Sequence, residues 1–416
     1  MNETRIGIVG AGLTGLIAAK VLSSNNFNVT VFEKSETPGG RMVTEVVDGW
    51  NLDVGFQVLL SAYPVLNRCV DWTNLEVHKL DSAATVFMNN KRMVVGDPFR
   101  TKGVFLQTLF SSVGSIRDKY LVFKLKRYVD KLDTRSIFTL SNASTLSFLQ
   151  DFGFSHKIIS RFFKPFFGGI FLEKELLTSN RMFLFIFKMF ADGDALLPIE
   201  GIGALGKQLA DDMPDVNFNY NSSVQHMDLS KASLSLENGA VSNFDYIINT
   251  IPNHGELESV SKWNGCYNLY FEHNSPAILK EVRIGLNANE GRLINNLFYP
   301  SSIQCPTDKE GKNLLSITVL DAKGLSQNEL INRVERELIE DFNLKECHLK
   351  LLKVYHLPYS LPNIKAPKYA SSFESHEGNV FHVGDFSANG SQNAACAIGE
   401  AVAKEILNRV KNKNSL

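Results

Sequence analysis

The chain is poor in the features that mark several common protein classes. Its five cysteines, Cys69, Cys266, Cys305, Cys347 and Cys396, are odd in number and include no CxxC pair. That pattern favours free thiols in a reducing compartment over a disulfide framework or a zinc site. No stretch approaches the ~20 consecutive apolar residues of a membrane-spanning helix. Polar Asn2-Glu3-Thr4 leads straight into an apolar strand, with no basic region and apolar core of a signal peptide before it. The expectation is a soluble, cytoplasmic protein, at most peripheral to a membrane. An excess of one charge is missing too: 43 Lys and Arg against 44 Asp and Glu leave a net charge of −1, which gives no electrostatic ground for nucleic-acid binding. The nine histidines are dispersed, with no metal-ligand cluster, nucleophile elbow or Ser/His/Asp order among them. No metal is expected, and His382, within a strand pattern, reads as a packed residue before it reads as a base.

What is present begins at the first strand. Ile6, Ile8 and Val9 form a short apolar run, Gly10, Gly12 and Gly15 follow at GxGxxG spacing, and Leu13, Thr14 and Gly15 open an apolar helix. These are the parts of a dinucleotide-binding βαβ unit. Gly10 permits the sharp turn, Gly12 the approach of a pyrophosphate and Gly15 the close packing of helix on strand. The helix N-terminus adds free N–H groups and positive dipole. A lone glycine motif is weak, so the second strand decides. Asn28-Val-Thr-Val-Phe-Glu33 arrives close to the ~20-residue offset of the ribose-binding acid, with Lys34 beside it. Glu33 would accept from ribose hydroxyls and repel a 2′-phosphate.

The residues that follow carry a resemblance. Lys34-Ser-Glu-Thr-Pro-Gly-Gly-Arg-Met42 and then Asp53-Val-Gly-Phe-Gln57, with Asn379-Val-Phe-His-Val-Gly-Asp385 and Gly390-Ser-Gln-Asn-Ala-Ala-Cys396 near the other end, resemble the flavin-dependent amine oxidase superfamily. That superfamily includes monoamine oxidases, protoporphyrinogen oxidases and phytoene desaturases. The resemblance implies FAD, with Gly39, Gly40 and Arg41 on its pyrophosphate and isoalloxazine side. It places Gly384 and Asp385 at the ribitol, the helix starting near Asn393 and Ala394 against the ring, the Val224 backbone at adenine and Thr250 on the cofactor side. It offers no cysteine in the setting of covalent attachment, Cys396 lying inside the final helix pattern, so FAD is expected to be non-covalent. The lysine that monoamine oxidases carry near flavin N5 has no matched position; Lys280, Lys309, Lys312 and Lys323 are candidates by region only.

At 416 residues, with 44% hydrophobic and 21% charged residues, the chain can bury a large core and exceeds a usual single domain. The fold class expected is α/β: an FAD-binding Rossmann-like nucleotide domain from 1–83, 196–254 and 367–416, with a mixed α+β substrate domain from 84–195 and 255–366. Within the latter, Ala84–Met88 and Arg92–Val95 read as a hairpin. Thr145–Gly153 reads as a capped helix, and Asn328–Phe342 as an amphipathic one. Ile116, Tyr120, Phe123, Leu125, Tyr128 and Leu132 recur at helical spacing among Lys119, Lys124, Lys126, Arg127 and Lys131. Such a helix can lie on an anionic membrane, or it is a solvated outer face. The phenylalanines between Phe138 and Phe190 fill a core or line a wide apolar cavity.

The function expected from the resemblance is FAD-dependent removal of hydride from a C–H bond of a lipophilic small molecule, with oxygen or a quinone as electron acceptor. Oxidation of a small amine or polyamine is the alternative, and flavin binding without turnover is a third reading from another class. No catalytic residue is identified.

Overall fold

A computed structural model describes residues 4–96, 100, 104–252, 263–279, 281–322, 324–344, 349–371 and 376–414. Two large sheets organise them. The first has six strands in the order Asn217–Asn219, Asn28–Phe32, Arg5–Val9, Tyr246–Asn249, Val380–His382 and His376–Glu377. The first five run parallel, and the last pairs antiparallel at the edge. Ile6, Ile8, Val29, Val31, Ile247 and Ile248 are fully or almost fully buried, as expected of parallel strands covered on both faces. From Arg5–Val9 the chain moves to one neighbouring strand by way of helix Leu13–Ser23, and much later returns to the other neighbour, Tyr246–Asn249. The strand order therefore reverses beside Arg5–Val9. In open α/β sheets that reversal, at the carboxyl ends of the strands, is where a ligand crevice is expected.

Helix Leu13–Ser23 is held from outside by the long terminal helix Gln392–Asn414. Their approach is close: a Cβ on Gly399 would stand 2.5 Å from the Thr14 carbonyl oxygen. The smallness of Gly399 thus serves helix–helix contact.

The second sheet has seven strands, in the order Leu349–Pro362, Trp263–His273, Asn313–Val319, Ile294–Phe298, Ile284–Asn287, Ala83–Met88 and Lys91–Gly96. Its last two strands form the expected hairpin, turned by Asn89 and Asn90 at φ 50° and 57°, a turn that suits the twist of paired strands. Helix Gln327–Phe342 begins in a Ser326/Glu329 capping box and packs Leu330, Val334 and Leu338 into this sheet's core.

Between the sheets lie the phenylalanine-rich helices. Thr145–Phe152 is capped by Ser144 and stopped by Gly153, as its sequence predicts. Lys164–Phe171 and Asn180–Asp192 then interlock through their rings, with Phe167 and Phe183 at 4.7 Å between centroids and Phe162 and Phe166 stacked at 5.4 Å. Phe163, Phe167, Phe171, Phe183 and Phe185 are buried, so these rings are core. Asparagines pin Lys164–Phe171 to the second sheet: Asn295 donates to the Pro165 carbonyl at 3.0 Å and Asn264 to that of Phe171 at 2.7 Å. Among the described residues no helix is long and apolar enough to cross a membrane.

Candidate functional site

The site is built at the carboxyl end of Arg5–Val9. Gly10 turns the chain at φ +96°, where a side chain is strained, and a Cβ there would meet Thr250 Oγ1 at 2.6 Å. Thr250 closes the end of the neighbouring strand, but its hydroxyl is committed, donating to the Val9 carbonyl at 2.8 Å. Gly15 admits no Cβ, because the Gly10 carbonyl oxygen would lie 2.1 Å away. Gly12 differs from both. A Cβ there would find only Gly40 Cα, at 3.8 Å. The second glycine of the motif therefore borders open space, while the first and third are enclosed by protein.

Leu13, Thr14 and Gly15 form the first turn of the helix, which has no side-chain cap. Their N–H groups have no intrahelical acceptor and lie at the positive end of the helix dipole. Gly39 and Gly40 complete the wall: Gly39 N donates to the Ala11 carbonyl at 2.8 Å, and a Cβ on Gly40 would stand 2.9 Å from Gly12 Cα.

Glu33 is buried at the end of Asn28–Phe32, 5% exposed. Its Oε2 accepts from Ala11 N at 2.8 Å and its Oε1 from Ser35 N at 2.9 Å. The acid thus holds the glycine turn in place, and each oxygen retains a further acceptor site. Lys34 points outward and is exposed. Val224 opens strand Val224–Asp228, two residues after Ser222 N donates to the Glu33 carbonyl at 2.8 Å. Its side chain packs toward Val9, Phe32 and Leu234.

The far end of the site gathers segments widely separated in sequence. Arg41 reaches the Ser360 carbonyl at 2.9 Å and Asp385 Oδ1 at 2.6 Å, and lies 5.6 Å from the Trp263 ring centroid. Gly384 is extended there, and the Phe386 ring fills the place its Cβ would take. Leu361 and Pro362 come against Gly390 at 3.1–3.4 Å from its Cβ position, which brings the end of strand Leu349–Pro362 to this side. Asn393 uses its side-chain oxygen within the protein. Its Oδ1 accepts from Val65 N at 2.8 Å, in the first turn of helix Pro64–Cys69. Ala394 N is taken in turn by Ser391 Oγ at 3.0 Å.

Two buried polar atoms, the Trp263 Nε1 donor and the Gln392 Oε1 acceptor at the first residue of the terminal helix, have no hydrogen-bond partner among the described residues. Leaving such a group unpaired costs about 1–3 kcal/mol. Neither residue was singled out in the sequence, for no local spacing marks them. The pairing of Arg41 with Asp385 and Trp263 joins the strand of one to the segment leading into the helix of the other.

Asp53 stands between the sheets. It accepts from Thr44 Oγ1 at 2.7 Å and from Ile202 N at 2.8 Å, while its carbonyl takes the Tyr270 hydroxyl at 2.8 Å. Burial pushes its carboxyl up to about 6, against the pull of those two donors. Cys266, paired across the strands with Leu357, is pushed up to about 11 by burial and stays a thiol. The Cys396 thiol is raised still further from reactivity, by its hydrogen bond with Cys69 and by burial. Cys347 lies outside the described residues, as do Lys280 and Lys323. Lys309 and Lys312 are not at the site: both pair with Glu272, at 3.5 and 2.9 Å, nine residues from Trp263 along one strand. That spacing is roughly 30 Å. His382 meets Asn249 on the adjacent strand at 3.2 Å.

Comparison with known proteins gives this geometry its family. Protoporphyrinogen oxidase 2, chloroplastic/mitochondrial, of Arabidopsis thaliana is 27% identical over 171 residues, 41% of this chain and 33% of that protein. The L-amino-acid oxidase BmooLAAO-I of Bothrops moojeni is 31% identical over 137 residues, 32% of this chain and 27% of that protein. The chain thus matches a third or less of the length of these curated relatives. Putrescine oxidase, solved as wild type bound to putrescine, shares the fold with a TM-score of 0.69 at 15% identity, over 98% of this chain and 99% of that one. A family model described as flavin containing amine oxidoreductase matches residues 13–407, and the chain belongs to that family.

Proposed function

We propose that the protein is an FAD-dependent oxidoreductase that takes hydride from a C–H bond of a lipophilic small molecule. The first helix turn and the open volume at Gly12 suit a pyrophosphate, and the free acceptor sites of Glu33 suit the hydroxyls of an unphosphorylated ribose. Val224 would meet adenine through its backbone. The carboxylate of Asp385, oriented by Arg41, would accept from ribitol. The unpaired Trp263 donor and Gln392 acceptor fit a polar heterocycle between Arg41 and the terminal helix. These contacts are non-covalent, in keeping with thiols that are buried or distant. The bound flavin would supply the electron sink, with oxygen or a quinone as final acceptor. The nucleotide would be held by 1–83, 196–254 and 367–416, and the substrate by 84–195 and 255–366.

One observation carries the lipophilic reading. Trp263 packs on Arg41 while the next residue, Asn264, holds the last carbonyl of the helix Lys164–Phe171, so the phenylalanine-rich helices are anchored to the strand that borders the site. Such a border orients and desolvates an apolar substrate. Oxidation of a small amine is the second reading, favoured by the likeness to L-amino-acid oxidase. Anaerobic bleaching of the flavin by porphyrinogens and polyene precursors, against primary amines, amino acids and polyamines, separates them. Bleaching by an apolar donor is expected; bleaching by amines alone would overturn the reading.

A further inference from the structure

We propose that the outer face of helices Val104–Phe110 and Ile116–Asp130 is a docking surface for an anionic lipid bilayer. This goes beyond the oxidoreductase reading and does not depend on the substrate. Five large apolar side chains stand in solvent there: Phe110 at 80% exposure, Ile116 at 77%, Tyr120 at 64%, Leu106 at 60% and Phe123 at 49%. Single exposed hydrophobics are ordinary, but a contiguous group marks an interaction site.

The group is contiguous by construction. Ile116, Tyr120 and Phe123 recur at spacings of four and three, and so share one stripe of the longer helix. The opposite stripe, Leu121, Leu125 and Val129, is buried and already packed toward helix Asn180–Asp192. The helix therefore has two apolar faces, and the fold uses one. Lys119 Nζ donates to the Leu109 carbonyl and, at 3.1 Å, to that of Ser111. This tie sets the end of the shorter helix, with Phe110, against the first turn of the longer one.

Charge decides the occupant. Between 116 and 131 the sequence has six basic residues and two acidic ones, although the whole chain carries −1. Of the two acids, Asp118 is buried in the capping box with Ser115, and Asp130 is neutralised by Lys126 at 3.2 Å. At helical spacing Lys124 and Lys131 flank the apolar stripe on one side, and Arg127, over the Phe123 ring at 5.9 Å, lies along it. Lys119 and Lys126 on the other side are held by the Leu109 and Ser111 carbonyls and by Asp130. A second copy of the chain would set these lysines against themselves across a two-fold axis, which like charge disfavours. An apolar stripe at the level of the acyl boundary, with lysine stems reaching back to anionic headgroups, satisfies both parts of the surface. The capping box and the packed inner face hold the helix in shape before lipid arrives.

The test uses the full-length, flavin-loaded protein and vesicle flotation, so it is read without turnover and stands or falls apart from the substrate assignment. Vesicles of phosphatidylcholine alone are compared with vesicles containing phosphatidylglycerol. Flotation with the anionic vesicles only, weakening as salt rises, is expected. Phe110→Ser with Phe123→Ser, and separately Lys124→Glu with Lys131→Glu, should each lower partitioning by about tenfold or more. Because these side chains are exposed, the flavin spectrum and melting temperature should match wild type, which separates lost docking from misfolding. Wild-type protein that does not float with anionic vesicles, or variants that float as well as wild type, would overturn the proposal. So would sedimentation showing a dimer that Phe110→Ser with Phe123→Ser dissociates, in the absence of vesicle binding.

Discussion

The glycine turn and the phenylalanine-rich helices are both apolar and both densely packed, yet they constrain their sequences in different ways. At Gly15 the neighbour is backbone, a carbonyl oxygen 2.1 Å from where a Cβ would be, and no rearrangement of side chains can make room. Around Phe167 the neighbours are other rings, Phe163, Phe166, Phe171 and Phe183, at centroid distances of 4.7–6.1 Å. Such a cluster asks for volume and tolerates redistribution of it. The first region is specified position by position, the second by composition.

Within the turn itself, two alanine substitutions should have opposite characters, and this is the largest effect expected. Gly15→Ala forces backbone apart at the strand–helix junction, costs more than about 3 kcal/mol and leaves little folded, yellow protein. Gly12→Ala meets no protein closer than 3.8 Å. It should cost less than about 1 kcal/mol in stability. The added methyl group instead occupies the volume open to the pyrophosphate, so flavin affinity should fall by about tenfold or more, 1.4 kcal/mol per factor of ten. Chemical denaturation of the apoprotein and flavin titration separate the two quantities. A Gly12→Ala protein that binds flavin like wild type would show that the open volume is not the cradle.

Asp53 joins the two regions, since its carboxylate holds the 44 and 202 segments and its carbonyl holds Tyr270 of the second sheet. Its carboxyl titrates near 6 in the folded chain and near ~3.9 when unfolded. The folded state therefore binds the proton more tightly, and stability from this group falls as pH rises between about 4 and 6 and stays reduced above. Asp53→Asn keeps an acceptor for Thr44 and Ile202 and removes the ionisation. The variant should be more stable than wild type by about 1–2 kcal/mol at pH 8 and should lose that advantage near pH 4. Denaturation midpoints at the two pH values check it. A variant less stable than wild type at pH 8 would mean that the ionised clamp outweighs the cost of burying it.

The same contrast explains what could be read from the chain. Strand Arg5–Val9, its glycine turn, the acid at Glu33, the Asn89-Asn90 hairpin and the capped helix Thr145–Phe152 are all local: a few adjacent residues impose a backbone conformation and leave a spacing behind. The commitments of Asn393 to the Pro64–Cys69 helix and of Arg41 to Asp385 span 328 and 344 residues. No period or cap encodes such pairs. Trp263 and Gln392 escaped notice for that reason, and the regional lysines Lys309 and Lys312 could not be set aside until their partner Glu272 was in view. The phenylalanine-rich stretch was legible as apolar but not as core or cavity, because both demand the same side chains.

The smallest effect expected sharpens the comparison from the other side. Phe167 is buried among four rings, and leucine there keeps most of the apolar volume while removing the edge-on contact with Phe183 at 4.7 Å. Aromatic pairs of this kind contribute about 0.5–1.5 kcal/mol beyond the area they bury. Neighbours such as Phe166 and Phe171 can move into part of the lost ring volume, since none of them is fixed by backbone in the way Gly10 fixes Gly15. Phe167→Leu should therefore lower stability by about 1–2 kcal/mol and leave flavin affinity unchanged. Urea denaturation and flavin titration of the same preparation measure both. If Phe167→Leu instead releases the flavin while the protein stays folded, the ring shapes the border of the site itself, and composition alone does not specify this region.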